Sequence, residues 1–198
     1  MTVLHTLAAR ASLLQEIRKS RFLAQAARVD DPDAAMAIIS EISDPLATHN
    51  CWAYRIGTAY RFSDDGEPGG TAGRPILQAI EGQGFDQTAV VVTRWYGGTK
   101  LGAGGLARAY GGCAAECLRL AQRVEIVDTI RVFVRIEFAL LPILSARLTE
   151  FSALSVNESF DAEGVRLTLC MPKASTGAFA GFLRNLSRGK AELELETS

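Results

Sequence analysis

The apolar positions of LLQEIRKSRFLAQAARV (13 to 29) alternate with polar ones, and the alternation breaks near Lys19 and Ser20. That is the period of a strand with one buried face, so the stretch predicts two strands around a tight turn. In DPDAAMAIISEI (31 to 42) the period lengthens to that of a helix, with Asp30 or Asp31 as its cap and Pro32 in its first turn. NCWAYRIG and AYRFS read as two strands joined at Gly57 and Thr58, and GRPILQAIEGQG as a short helix stopped by Gly82 and Gly84. TAVVVTRWYGG (88 to 98) is β-branched and apolar on both faces, which predicts a central strand. A helix follows, beginning near Ala103 and running through LARAYGGCAAECLRLAQ. Its Gly111 and Gly112, with Ala107, Ala114 and Ala115, offer a face on which a neighbour can pack closely.

The pattern changes after about residue 127. TIRVFVRIEF alternates like a strand, and LLPILSARLTEF is helical with Pro142 in its first turn. ALSVNESFD and GVRLTLCMP predict a hairpin across Asp161 to Gly164, KASTGAFAGFLRNLSR a helix and AELELE a closing strand. This β-α-β-β-α-β order is that of a ferredoxin-like domain. The sequence therefore predicts an α+β protein with a first domain over 1–127 and a ferredoxin-like second domain over 128–198.

Composition narrows the classes. The 198 residues are 48% hydrophobic and 22% charged, enough to bury a core and too apolar for a disordered chain. No apolar run approaches the ~20 residues that span a bilayer, and the N-terminal residues lack the apolar core of a secretion signal. The expectation is a cytoplasmic protein without membrane contact. The formal net charge of −1 excludes a chain that is basic throughout, so any nucleic-acid contact must be local. Cys51, Cys113, Cys117 and Cys170 do not form a secreted disulfide framework. Cys113 and Cys117 share a helix face amid small apolar residues, which favours buried thiols over metal ligands.

Two glycine-rich segments concentrate the candidate chemistry. SDDGEPGGTAGRP (63 to 75) carries Asp64, Asp65 and Glu67. Carboxylates this close can hold Mg²⁺, but without a second ligand segment they read as turn caps in a solvated loop. No metal and no cofactor is expected. GGTKLGAGG (97 to 105) lies between Arg94 and Arg108 and contains Lys100. It has neither the Walker A nor the dinucleotide-fold spacing. Still, glycines at a helix start beside cations make an anion site, and the residues for it are Arg94, Lys100, Arg108, Gly97, Gly98, Gly104 and Gly105. The alternative is a tight strand-to-helix turn with solvated cations, and Arg94 closes a strand that reads as buried. Because both segments flank central strands and carry opposite charges, they are expected to fold together into one surface. His49 and Cys51 share a strand face, but no third residue orients them for nucleophilic chemistry. Trp52, Tyr54, Tyr60, Trp95, Tyr96 and Tyr110 lie among arginines, a pattern that serves either base stacking or core packing. Core packing is the reading for Trp52 and Tyr110, and Trp95 and Tyr96 remain open.

KSRF (19 to 22), HNCWAYRI (49 to 56), SDDGEPGGTAGRPIL (63 to 77) and VVVTRWYGGTKLGAGGLARAYGG (90 to 112) resemble, in order, the signature blocks of the Impact family, including its bacterial YigZ-type members. Gly69 is the one departure, where Ser is expected as readily. The resemblance implies a first domain similar to the second domain of ribosomal protein S5 and to domain IV of elongation factor G. It implies a ferredoxin-like second domain similar to domain V of the same factor. Eukaryotic relatives act in translational control through an extra interaction domain that these residues do not include. The function implied is RNA or ribosome binding with a role in regulating translation. The alternatives are an enzyme or binding protein for a phosphorylated small molecule, and a protein-interaction module. Oligomeric state is not readable from the sequence.

Overall fold

The computed structural model describes residues 3–196. The chain divides into two compact units, Met1–Ile126 and Val127–Ser198. Both are α+β.

In the first unit β1 (His5–Leu7), β2 (Ala11–Ile17) and β3 (Ser20–Arg28) precede α1 (Pro32–Ile42). Then come β4 (His49–Ile56), β5 (Ala59–Ser63), α2 (Gly73–Gly82), β6 (Thr88–Trp95), α3 (Ala103–Leu120) and β7 (Arg123–Glu125). Five strands form one sheet in the order β2-β3-β6-β4-β5, every neighbour antiparallel. β1 and β7 form a separate two-stranded ribbon. The central position of β6 explains its unbroken apolar run. Its Val90 and Val92 join the core against α2 and α3, while Ala89 and Val91 join a second core with Ala35 and Ile39 of α1. Asp31 caps α1 by accepting from the Ala34 N–H at 2.7 Å.

The first turn differs by one residue from the pattern. It falls on Arg18 and Lys19, both left-handed at φ 48° and 69°. A two-residue hairpin with both φ values positive ordinarily takes Asn-Gly, because Cβ crowds the backbone there.

The two helical glycines also separate. A Cβ on Gly111 would sit 3.3 Å from Pro75 of α2, whereas one on Gly112 would meet nothing within 4 Å. Only Gly111 serves close packing. Gly112→Ala is therefore expected to stabilise the fold by about 0.5–1 kcal/mol, through backbone entropy alone. Thermal unfolding checks this, and a loss of stability would mean that Gly112 too is held by packing.

In the second unit β8 (Thr129–Ile136), α4 (Leu141–Arg147), β9 (Leu154–Phe160), β10 (Val165–Pro172), α5 (Thr176–Ser187) and β11 (Glu192–Leu195) follow in order. α4 is shorter than its pattern, with single 3₁₀ turns on either side. The antiparallel sheet has the order β11-β8-β10-β9, the ferredoxin-like arrangement. Val132, Val134, Ile136, Leu167 and Leu169 pack with Leu144, Phe179 and Leu183 on one face. No helix among the described residues is long and apolar enough to cross a membrane.

Candidate functional site

Strand alternation places Cys51 and Ala53 of β4, and Val90 and Val92 of β6, on the face covered by α2 and α3. By the same period His49 and Arg94 point to that face, and they are direct register partners at the end of the sheet. Here the segment 63–72 and the start of α3 close over the sheet. They leave a cleft of about 400 Å³, whose lining includes His49, Glu67, Arg94, Tyr96, Lys100 and Leu106. The two glycine-rich segments thus share one surface, with Glu67 and Lys100 in the same cleft.

The three acids have different tasks. Asp64 accepts from the N–H groups of Gly70, Ala72 and Gly73 at 2.8–2.9 Å, fixing the loop to the start of α2. Partial burial works against its ionisation, but those N–H bonds outweigh it and hold the carboxyl below the usual range. Asp65 accepts from the Asn50 N–H at 2.6 Å, and its own φ is positive at 41°. Both act as caps on backbone N–H groups, Asp64 half-buried and Asp65 exposed. Glu67 reaches the cleft floor, where its Oε1 accepts from Arg94 Nη1 at 2.5 Å and from the Tyr110 hydroxyl at 2.7 Å. Among the described residues no three His, Cys, Asp or Glu side chains group as a metal site.

Arg94 differs from the expectation of an available cation. Its side chain is 5% exposed, as is that of Glu67, so the two form a buried ion pair. The guanidinium also lies over the rings of Phe22 and Tyr96, at 5.4 and 5.3 Å. Nη2 reaches Ser20 Oγ at 3.4 Å, and Nε has no partner among the described residues. His49 Nδ1 is 2.7 Å from the Asp65 carbonyl oxygen, which can only accept, so Nδ1 carries a proton. Nε2 is 3.8 Å from Glu67 Oε1.

Tyr110 lies fully in the core, as expected, and burial, with Cys51 and Glu67 beside it, pushes its hydroxyl far above the ordinary range. It stays protonated and donates. Trp52 is half-buried, packed against the α1 core, and Tyr96 is exposed at the cleft rim. Burial pushes the Cys51 thiol up to about 12, and its Sγ donates to the Asp64 carbonyl at 3.0 Å. Such a thiol is not a nucleophile at neutral pH. Cys113 and Cys117 are buried and raised in the same way, to about 11 and about 12.

The glycines of 97–105 divide too. Gly97 is set by packing, because a Cβ there would overlap the Lys19 carbonyl, while Gly98 meets open space. Gly104 and Gly105 form the first turn of α3, and Gly102 before them, at φ 71°, offers no side-chain cap. The N–H groups of Ala103, Gly104 and Gly105 precede the first helical bond, from Leu106 N–H to the Gly102 carbonyl, and are free to take an anion. Lys100 and Arg108 are exposed. Arg108 stands on the other side of the helix start, in a shallow surface with Ile17, Arg18, Leu101 and Gly105.

Sequence reasoning missed Arg18, Lys19 and Arg21 as companions of these cations. The signal was present in RKSR (18 to 21), but the antiparallel pairing of β3 with β6 is what brings that hairpin tip to the 97–105 loop.

Residues 18–118 match the Impact N-terminal domain, and residues 134–190 match a domain of unknown function, DUF1949. The chain belongs to the Impact family. The family member in the pol 5′ region of Thermus thermophilus is 45% identical over 179 residues, covering 90% of this chain and 99% of that one. YigZ of Escherichia coli K12 is 35% identical over 193 residues, 94% of each chain. Protein IMPACT of Xenopus laevis is 37% identical over 95 residues, 43% of this chain and 30% of that protein. A crystal structure of a hypothetical protein superposes with a TM-score of 0.71 at 34% identity, covering 98% of this chain and 97% of that one.

Proposed function

We propose that this chain binds RNA, free or within the ribosome, and acts in the regulation of translation. The observation that carries the reading is a group of cations at one end of the sheet: Arg18, Lys100 and Arg108 near the start of α3, Lys19 at the hairpin tip, and Arg21 on the opposite sheet face with Trp95. Arg18, Lys19, Arg21, Lys100 and Arg108 are all exposed. None has an acidic partner among the described residues. Arg21 stands opposite Glu16 in the register, yet its guanidinium lies 4.8 Å over the Trp95 ring. In a chain of net charge −1, unpaired cations at this sheet end, with Tyr96 on the α3 side and Trp95 on the other, supply the local basic, aromatic-bearing edge that single-stranded RNA needs. The turn at Arg18 and Lys19 supports this. Left-handed backbone at non-glycine residues costs stability, and cost retained at an exposed tip fits use of the two side chains. Membership of the Impact family supports the link to translation.

Changing Arg18, Lys19, Arg21 and Arg108 together to Ala tests the surface. The expected result is weaker binding of single-stranded oligonucleotides and a salt dependence flatter by about 0.7 log–log units per lost contact. Circular dichroism should remain that of the parent, since exposed charges rarely shift stability by more than about 0.5 kcal/mol. A folded variant with unchanged affinity and unchanged salt slope would remove this surface from consideration.

A further inference from the structure

We infer that the cleft between the 63–72 loop and α3 is a binding site for a nucleoside 5′-phosphate, met as the 5′ end of an RNA or as a free nucleotide. The inference rests on the RNA reading and names the part of the ligand that enters the fold.

Three features converge there. At the helix start Ala103 lines the cleft beside Lys100, and its N–H, like those of Gly104 and Gly105 behind it, has no protein partner among the described residues. A phosphate monoester is the group that such an arrangement holds best. At the rim, Tyr96 is 45% exposed and is held from behind by the Arg94 guanidinium, with Leu101, Leu106 and Pro68 as apolar walls. A flat base has a stacking partner in that ring. At the floor, Arg94 is 5% exposed and its Nε–H lacks an acceptor among the described residues. A buried donor left without a partner is rare in a finished fold and marks a place where a ligand atom or ordered water completes the set.

The Glu67 carboxylate does not repel an anion here, because Arg94 and Tyr110 already take up its charge. Lys100 and the helix end then set the sign of the cleft. Its volume of about 400 Å³ lies in the range of small-ligand sites and takes one nucleotide, not a folded RNA segment. The longer strand would continue over the cations outside.

Binding of octauridylate with a 5′-phosphate and with a 5′-hydroxyl should be compared, alongside uridine 5′-monophosphate, uridine and inorganic phosphate. The informative variant is Ala103→Asp, which sets a carboxylate in the first turn of α3 on the cleft wall. An acid there favours the helix, so the melting temperature should hold or rise. The 5′-phosphorylated octamer is expected to bind about tenfold tighter than the 5′-hydroxyl one, a gain in line with one helix end and one lysine. Ala103→Asp should abolish that preference, and Tyr96→Ala should weaken uridine 5′-monophosphate. Mononucleotide binding that Ala103→Asp removes, without octamer binding, would keep the cleft and overturn the RNA reading. Octamers that bind equally with either end, while the mononucleotide does not bind, would overturn the cleft and keep the RNA reading. Absence of all binding would overturn both.

Discussion

Glu67→Ala and Arg94→Ala are each expected to destabilise the N-terminal unit by about 3–5 kcal/mol, the usual cost of leaving one member of a buried ion pair alone. Both side chains are 5% exposed, so water cannot replace the lost partner. Removing Glu67 also leaves the Tyr110 hydroxyl without an acceptor, at about 1–3 kcal/mol for a buried polar group. Much of this is a penalty of separation, not a net contribution of the pair. The double variant Glu67→Met with Arg94→Met should therefore lie well above the sum of the singles, with a coupling of about 2 kcal/mol or more. Denaturant unfolding followed by tryptophan fluorescence isolates this unit, because both tryptophans, Trp52 and Trp95, belong to it. Single losses that simply add within about 0.5 kcal/mol would mean that the two side chains act independently.

That pair also marks how far the sequence could be read. β6 was legible because a central strand buries both faces and so must be apolar throughout, as Ala89 to Val92 are. The second unit was legible because each strand alternates and each helix has its period, and six such elements in that order fit a ferredoxin-like sheet. β1 and β7 were not, because three residues are too few to display a period. The shared surface of the two glycine-rich segments was expected because both flank predicted central strands, but β5, which precedes the first segment, is an edge strand separated from β6 by β4. The roles within it did not follow. Arg94 and Glu67 stand 27 residues apart, and nothing local distinguishes a cation that pairs inward from one that faces solvent. The same holds for Asp64. Its three N–H donors belong to residues six to nine positions on, a geometry fixed only when the loop closes on α2.

Gly97→Ala is expected to cost about 3 kcal/mol or more, the upper end for forcing an extra methyl into a packed site. The reason lies in what the methyl would meet. It would overlap the carbonyl of Lys19 and the N–H of Ser20, which are backbone atoms and cannot rotate away. The tip of the β2–β3 hairpin would have to lift from the loop after β6. That movement would strain the bond from the Gly97 N–H to Ser20 Oγ, 3.1 Å long, and with it the contact of the same oxygen with Arg94 Nη2. The change therefore reaches both the buried pair and the surface that carries Arg18 and Lys19. Gly98→Ala separates this steric effect from the ordinary cost of left-handed backbone. Gly98 has φ 87° and open space around it, so its substitution should cost only about 1–2 kcal/mol. Urea unfolding of the two variants side by side decides the matter. A Gly97→Ala protein no less stable than Gly98→Ala would show that the hairpin tip yields freely, and the close approach would then have no part in holding the cations together.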